Sequence, residues 1–298
     1  MSDDRVAQLL ESAPLLYALA KDAQLSRGRW PDTCEQLVPP PSGLDLSGTR
    51  IGAALHDELG LLTPILVATN SWEWTPGRDC SALLLRHADR FESAVRTVVE
   101  APAAQWWWEP LPRDRQTWLN PWDDDPPVPF DVDLSDGFTD GTTPREALWT
   151  STTVGSLPGL TLFFAWDTQV RTPVAVWRVP VPITARVFAV RTADDWRALC
   201  LRYPQDTTHR RAGTWQEDLG VRDARIVTPA WERVAEEWDG VHMSMAGLLT
   251  TNCRVLSLGA GAVTSVMRWH TEATVWFRPA FGSPSRVADW SGDLPYAG

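Results

Sequence analysis

Hydrophobic periodicity changes once along this chain of 298 residues, and the change constrains the fold more than any single motif. Before residue 100 the apolar side chains recur every three or four positions, the repeat of a helix buried on one face. Val6, Leu9, Leu10, Ala13, Leu16, Tyr17 and Ala20 predict a helix over 4–21, with Asp3 or Asp4 as its cap. Leu84, His87, Phe91, Val95, Val98 and Val99 predict a second helix within 81–100. Between them the apolar run 61–68 reads as a short buried strand interrupted by Pro64.

After residue 145 the repeat shortens to that of strands. Runs at 147–153, 160–166, 174–179, 185–190, 241–245, 262–269 and 273–277 are rich in β-branched and aromatic residues. Two helices are expected among them. Thr192 and Asp195 have the spacing of a capping box ahead of Trp196, Leu199 and Cys200; Thr228 and Pro229 offer an N-cap and a first-turn proline ahead of Trp231, Val234, Ala235 and Trp238. Gly259-Ala260-Gly261 reads as a turn between strands. The expected fold is α+β: a mainly helical N-terminal region over 1–120, an acidic Pro/Asp-rich loop or linker over 121–146, and a strand-rich mixed domain over 147–298.

Charge and motif content narrow the function. The formal net charge is -11, which disfavours a nucleic-acid partner, because phosphate binding needs clustered Lys and Arg. The N-terminus lacks the basic start and apolar core of a secretory signal, and no run of about 18 apolar residues occurs, so a cytoplasmic protein with no membrane partner is expected. Cys34, Cys80, Cys200 and Cys253 form no Cys-x-x-Cys pair and read as free thiols. His56, His87, His209, His242 and His270 show no metal-binding spacing. A nucleophile elbow, a phosphate-binding loop and a dinucleotide fingerprint are all missing from the sequence. Asp131-x-Asp133 in the acidic segment leaves open a metal-dependent nucleotide-sugar glycosyltransferase.

Tryptophan is in excess: 18, against 8 Phe and 3 Tyr. Trp166, Trp177, Trp196, Trp231 and Trp238 fall where periodicity already calls for a core residue. Trp106, Trp107, Trp108, Trp122 and Trp149 gather around the acidic segment. The run 106–108 reads as a short strand whose indoles either pack the two halves of the chain together or stack on a planar ligand. Exposed, these indoles and the acidic residues would form the face of a noncatalytic interaction module.

Gly137-Phe138-Thr139-Asp140-Gly141, followed by Ala147-Leu148-Trp149-Thr150-Ser151-Thr152-Thr153, resembles a stretch of ADP-ribosyltransferase-like proteins. The helix ending at Trp238 and the step Asp239-Gly240-Val241-His242 look like a later part of that fold, so the resemblance spans at most 137–279. It implies two small sheets that clamp NAD as substrate, and a serine-threonine strand that orders the cleft. It also implies an acidic residue that engages the nicotinamide ribose and stabilises an oxocarbenium-like centre. Carried over, Ser151, Asp239 and His242 become catalytic candidates, with Trp149 and Thr152 toward NAD. The acceptor would be a basic protein or a small molecule, in keeping with the acidic surface.

Overall fold

The computed structural model describes residues 2–29, 31, 33–70, 78–120, 147–154, 174–267, 269, 272–278 and 280–290. The chain divides into two units, 1–108 and 109–298. The first is helical and the second carries both sheets, an α+β architecture with a mostly helical N-terminal region and a mixed-sheet C-terminal region.

The helical unit contains α1 (Ser2–Leu10), α2 (Ala13–Leu25), α3 (Arg50–Ala53), α4 (Glu58–Asn70), α5 (Arg78–Arg86) and α6 (Glu92–Glu100). The apolar stripe of 4–21 crosses from α1 into α2. Ser12 interrupts it: its hydroxyl accepts the Leu15 N–H at 3.2 Å, and Pro14 lies in the first turn, where no intrahelical donor is needed. The stripe of 81–100 is likewise split, by a 3₁₀ turn at Ala88–Phe91 that inserts the buried Phe91 between α5 and α6. The run 61–68 is helical, not a strand. Leu61, Leu62, Ile65 and Leu66 are all buried, a spacing of one and four that suits a helix, and Pro64 is accommodated inside α4. The indoles at 106–108 lie on a 3₁₀ turn, Pro102–Trp108, instead of a strand.

The second unit runs β1 (Gln116–Asn120), β2 (Leu148–Thr152), β3 (Val174–Arg178), β4 (Val187–Val190), α7 (Ala193–Arg202), β5 (Pro204–Asp206), α8 (Thr208–Leu219) and β6 (Arg225–Pro229). It continues with α9 (Trp231–Glu237), β7 (Gly240–Met243), α10 (Met245–Thr251), β8 (Leu256–Gly259), β9 (Ala262–Thr264), β10 (Ala273–Trp276) and β11 (Ser285–Trp290). Among the described residues, seven strands form one sheet in the order β11-β3-β1-β2-β10-β7-β4, and four form another in the order β5-β6-β9-β8. Of the strand pairs among the described residues, β4–β7 and β6–β9 are parallel and the others antiparallel.

Local chemistry explains most boundaries. The Thr192 hydroxyl accepts the Asp195 N–H at 3.1 Å and the Asp195 carboxylate accepts the Thr192 N–H at 2.9 Å, the reciprocal capping box expected at the start of α7. Thr228 and Pro229 instead finish β6, where Pro229 pairs with Pro204 at a strand end; α9 begins one residue after Ala230. Residues 259–261 all adopt positive φ and turn β8 into β9. Beyond Met243 the backbone leaves the sheet because Ser244 caps α10, accepting the Gly247 N–H at 3.1 Å. A Cβ on Gly247 would lie 2.2 Å from the Val190 carbonyl oxygen, so only glycine lets α10 approach β4 so closely.

One face of the larger sheet is packed by indoles. Trp269 lies 5.2 Å from Trp149, 6.3 Å from Trp196 and 6.4 Å from Trp231 by ring centroid. Trp196 and Trp231 are buried, as core positions require, while Trp177 and Trp238 are half-buried. Trp122, Trp166, the strand expected at 160–166 and the acidic segment 121–146 lie outside the described residues.

Candidate functional site

Strand alternation separates two sides of the larger sheet. In β2, Trp149 and Ser151 point to the indole-packed face, and Leu148, Thr150 and Thr152 to the opposite one. β10 pairs with both β2 and β7, so Thr274 stands opposite Thr150 on one side and His242 on the other. Glu272, two positions before Thr274, shares that face, and β1 adds Gln116 opposite Thr152. These six polar side chains, Gln116, Thr150, Thr152, His242, Glu272 and Thr274, are all buried.

Their hydrogen bonds run in one direction and end on a carboxyl group. The Trp276 indole N–H donates to Thr150 Oγ1 at 2.9 Å, and the Thr150 hydroxyl donates to Gln116 Oε1 at 2.7 Å. Gln116 Nε2 donates to Thr152 Oγ1 at 3.0 Å. The Thr152 hydroxyl then donates to Glu272 Oε1 at 2.6 Å, and the Thr152 amide to Glu272 Oε2 at 3.0 Å. With the Thr274 hydroxyl directed at Gln116 Oε1, 3.3 Å away, His242 Nδ1 is the donor in its 3.0 Å bond to Thr274 Oγ1.

Burial sets the charge of this row. It pushes the Glu272 carboxyl up from 4.5 to about 7, against the two bonds from Thr152 that favour the anion. It pushes the His242 imidazole down from 6.5 to about 3. Near neutral pH the histidine is therefore uncharged, and the 3.8 Å approach of His242 Nδ1 to Glu272 Oε1 is not an ion pair. The carboxyl is poised between its two protonation states, the condition under which such a group exchanges protons at neutral pH.

The five residues expected to form the site are divided by this geometry. Thr152 and His242 belong to the buried row. Trp149 and Ser151 lie on the opposite face, where Trp149 packs edge-on against Trp269 and the Ser151 hydroxyl is buried without a hydrogen-bond partner among the described residues. Asp239 precedes β7 at the end away from Glu272, roughly 17 Å along the strand at 3.3 Å per residue. Its carboxylate accepts the Arg186 N–H at 2.7 Å and pairs with Arg278 at 3.3 Å and with the Arg186 guanidinium at 3.6 Å. Asp239 thus ties the entry of β4 to the exit of β10. It also borders an open groove of about 540 Å³ floored by Pro180, Val181, Ala280 and Phe281.

Glu272 is absent from the expected set, although its alternation with Ala273, Thr274 and Val275 marks it as sharing the Thr274 face. Among the described residues no group of three or more His, Cys, Asp or Glu side chains is arranged to hold a metal; Asp131 and Asp133 lie outside them. No helix among the described residues is long and apolar enough to cross a membrane. Trp106 and Trp107 are buried, which removes two indoles from the exposed face that an interaction module would need. No known protein family matches the chain, and neither does any curated protein or solved structure.

Proposed function

We propose that the C-terminal unit is an ADP-ribosyl-transfer domain that takes NAD as substrate, with Glu272 as its catalytic carboxyl group. The observation that carries this reading is the double hydrogen bond from Thr152 to Glu272, with His242 beside it. In this reading Glu272, held by Thr152, takes the part of the acidic residue beside a serine-threonine strand that the resemblance calls for. Cleavage of the bond between the nicotinamide nitrogen and the ribose carbon sends the bonding pair to nicotinamide and leaves positive charge on the sugar. A carboxylate in a low-dielectric site stabilises that charge strongly. The incoming hydroxyl or amine of the acceptor closes the new bond and gives up its proton, which a carboxyl poised near 7 accepts.

Within this reading Thr152 and His242 are positioning residues. Thr152 fixes both carboxyl oxygens, and His242, held neutral, keeps competing positive charge away from Glu272. Asp239 acts through its arginine pairs on the fold. The acceptor is a basic protein or a small molecule. Incubating the whole protein with millimolar NAD and following free nicotinamide tests the proposal. Time-dependent release is the expected result, and no release together with no change in melting temperature would remove it.

A further inference from the structure

The helical unit holds a pair of thiols outside this chemistry. Cys34 opens the 3₁₀ turn Cys34–Leu37, which packs against α5, and Cys80 lies in the first turn of α5. The Cys80 thiol is close enough to Cys34 for the two to interact, and the Tyr17 phenol of α2 interacts electrostatically with both sulfurs. The two differ in access. Cys34 is half-exposed, whereas Cys80 is 3 % exposed. The remaining cysteines have other surroundings: Cys200 is buried against Thr264 at 3.3 Å, and Cys253 contacts the Asn252 side chain.

From this contact and this difference in access, we infer that Cys34 and Cys80 are a peroxide-responsive dithiol that closes into a disulfide. The accessible Cys34 thiolate attacks hydrogen peroxide, breaking the O–O bond, gaining one oxygen as sulfenic acid and releasing hydroxide, which a proton converts to water. Cys80 sulfur then attacks the Cys34 sulfur and loses its own proton. The S–O bond breaks and a second water leaves. Two thiols are thereby oxidised by two electrons and one peroxide is reduced. Burial pushes the Cys80 thiol up to about 12, which suits a resolving group that stays protonated until its partner is oxidised. Closure staples the 3₁₀ turn to α5 across the intervening chain, and it reopens with a dithiol reductant.

Peptide mapping of the full-length protein tests the inference. After peroxide treatment and alkylation, trypsin cleavage at Arg29, Arg50, Arg78 and Arg86 should yield residues 30–50 joined to residues 79–86. The joined species should be two hydrogens lighter than the sum of the two peptides and should disappear with dithiothreitol. In Cys80→Ser, a dimedone adduct should accumulate on Cys34 instead. Peroxide consumption that leaves the wild-type peptides unjoined, or that joins Cys34 to Cys200 or Cys253, would overturn the pairing. The wild-type map decides this even where either serine variant fails to fold.

Discussion

The opposing shifts of Glu272 and His242 make an unusual prediction about stability and pH. Glu272 is raised from 4.5 to about 7, so its protonated form favours the fold: that contribution is complete below 4.5 and is lost as pH rises through 7. His242 is lowered from 6.5 to about 3, so its neutral form favours the fold: that contribution is complete above 6.5 and is lost as pH falls toward 3. Each slope is about 1.4 kcal/mol per pH unit. Between 4.5 and 6.5 the two cancel, and the pair leaves no net trace in the wild type. Glu272→Gln removes one slope and His242→Asn the other. Relative to wild type, E272Q should gain about 3 kcal/mol between pH 4.5 and 6.5, and H242N should lose about 3 kcal/mol over the same interval. Hydrogen exchange of peptides covering β10, measured at pH 4.5, 5.5 and 6.5 after correction for intrinsic rates, reports this unit separately from the helical one. Variants whose differences from wild type stay level with pH, or tilt in the same direction, would refute the assignment of charge in the buried row.

Three further substitutions probe one member of this row and two helix positions outside it. Thr152→Val removes the hydroxyl bond to Glu272 and leaves a Gln116 donor without that partner, so it should cost about 2 kcal/mol in denaturant unfolding near neutral pH; a loss below about 0.5 kcal/mol would mean the bond is unimportant. Gly247→Ala forces a methyl group against the Val190 carbonyl and should lower stability by about 1–3 kcal/mol, seen as a drop in melting temperature, whereas the same change at Gly213, which has open space around it, should cost less. Thr192→Ala abolishes the capping box of α7 and should cost about 1 kcal/mol, with accelerated amide exchange confined to the first turn of that helix.

What the chain reveals on its own depends on the range over which each feature is decided. The Thr192 capping box and the turn at 259–261 are settled by adjacent residues, and both are readable directly. The run 61–68 is not, because a short continuous apolar stretch satisfies a buried strand and a buried helix alike; one-and-four burial in α4 resolves the ambiguity only once neighbours are present. The stripe of 4–21 survives the break at Ser12, since α1 and α2 both bury leucines, and so periodicity conceals a boundary that Ser12 and Pro14 mark locally. The site shows the same contrast. Alternation places Glu272 with Thr274, but its contact with Thr152 spans 120 residues and depends on β10 entering between β2 and β7. Trp149 and Ser151 fall on the other face for the same reason: neighbours in a strand cannot share one side of it.

The central claim, that Glu272 is the catalytic carboxyl group of an NAD-consuming site, is tested most directly by nicotinamide release from wild type and E272Q under identical conditions. The amide keeps the size of the carboxyl and avoids the burial of a charge; its oxygen can accept the Thr152 amide N–H while its nitrogen donates to Thr152 Oγ1, so E272Q should still fold at neutral pH. Release by the wild type with at least a hundredfold loss in folded E272Q is the predicted result. Equal release by both proteins would contradict it.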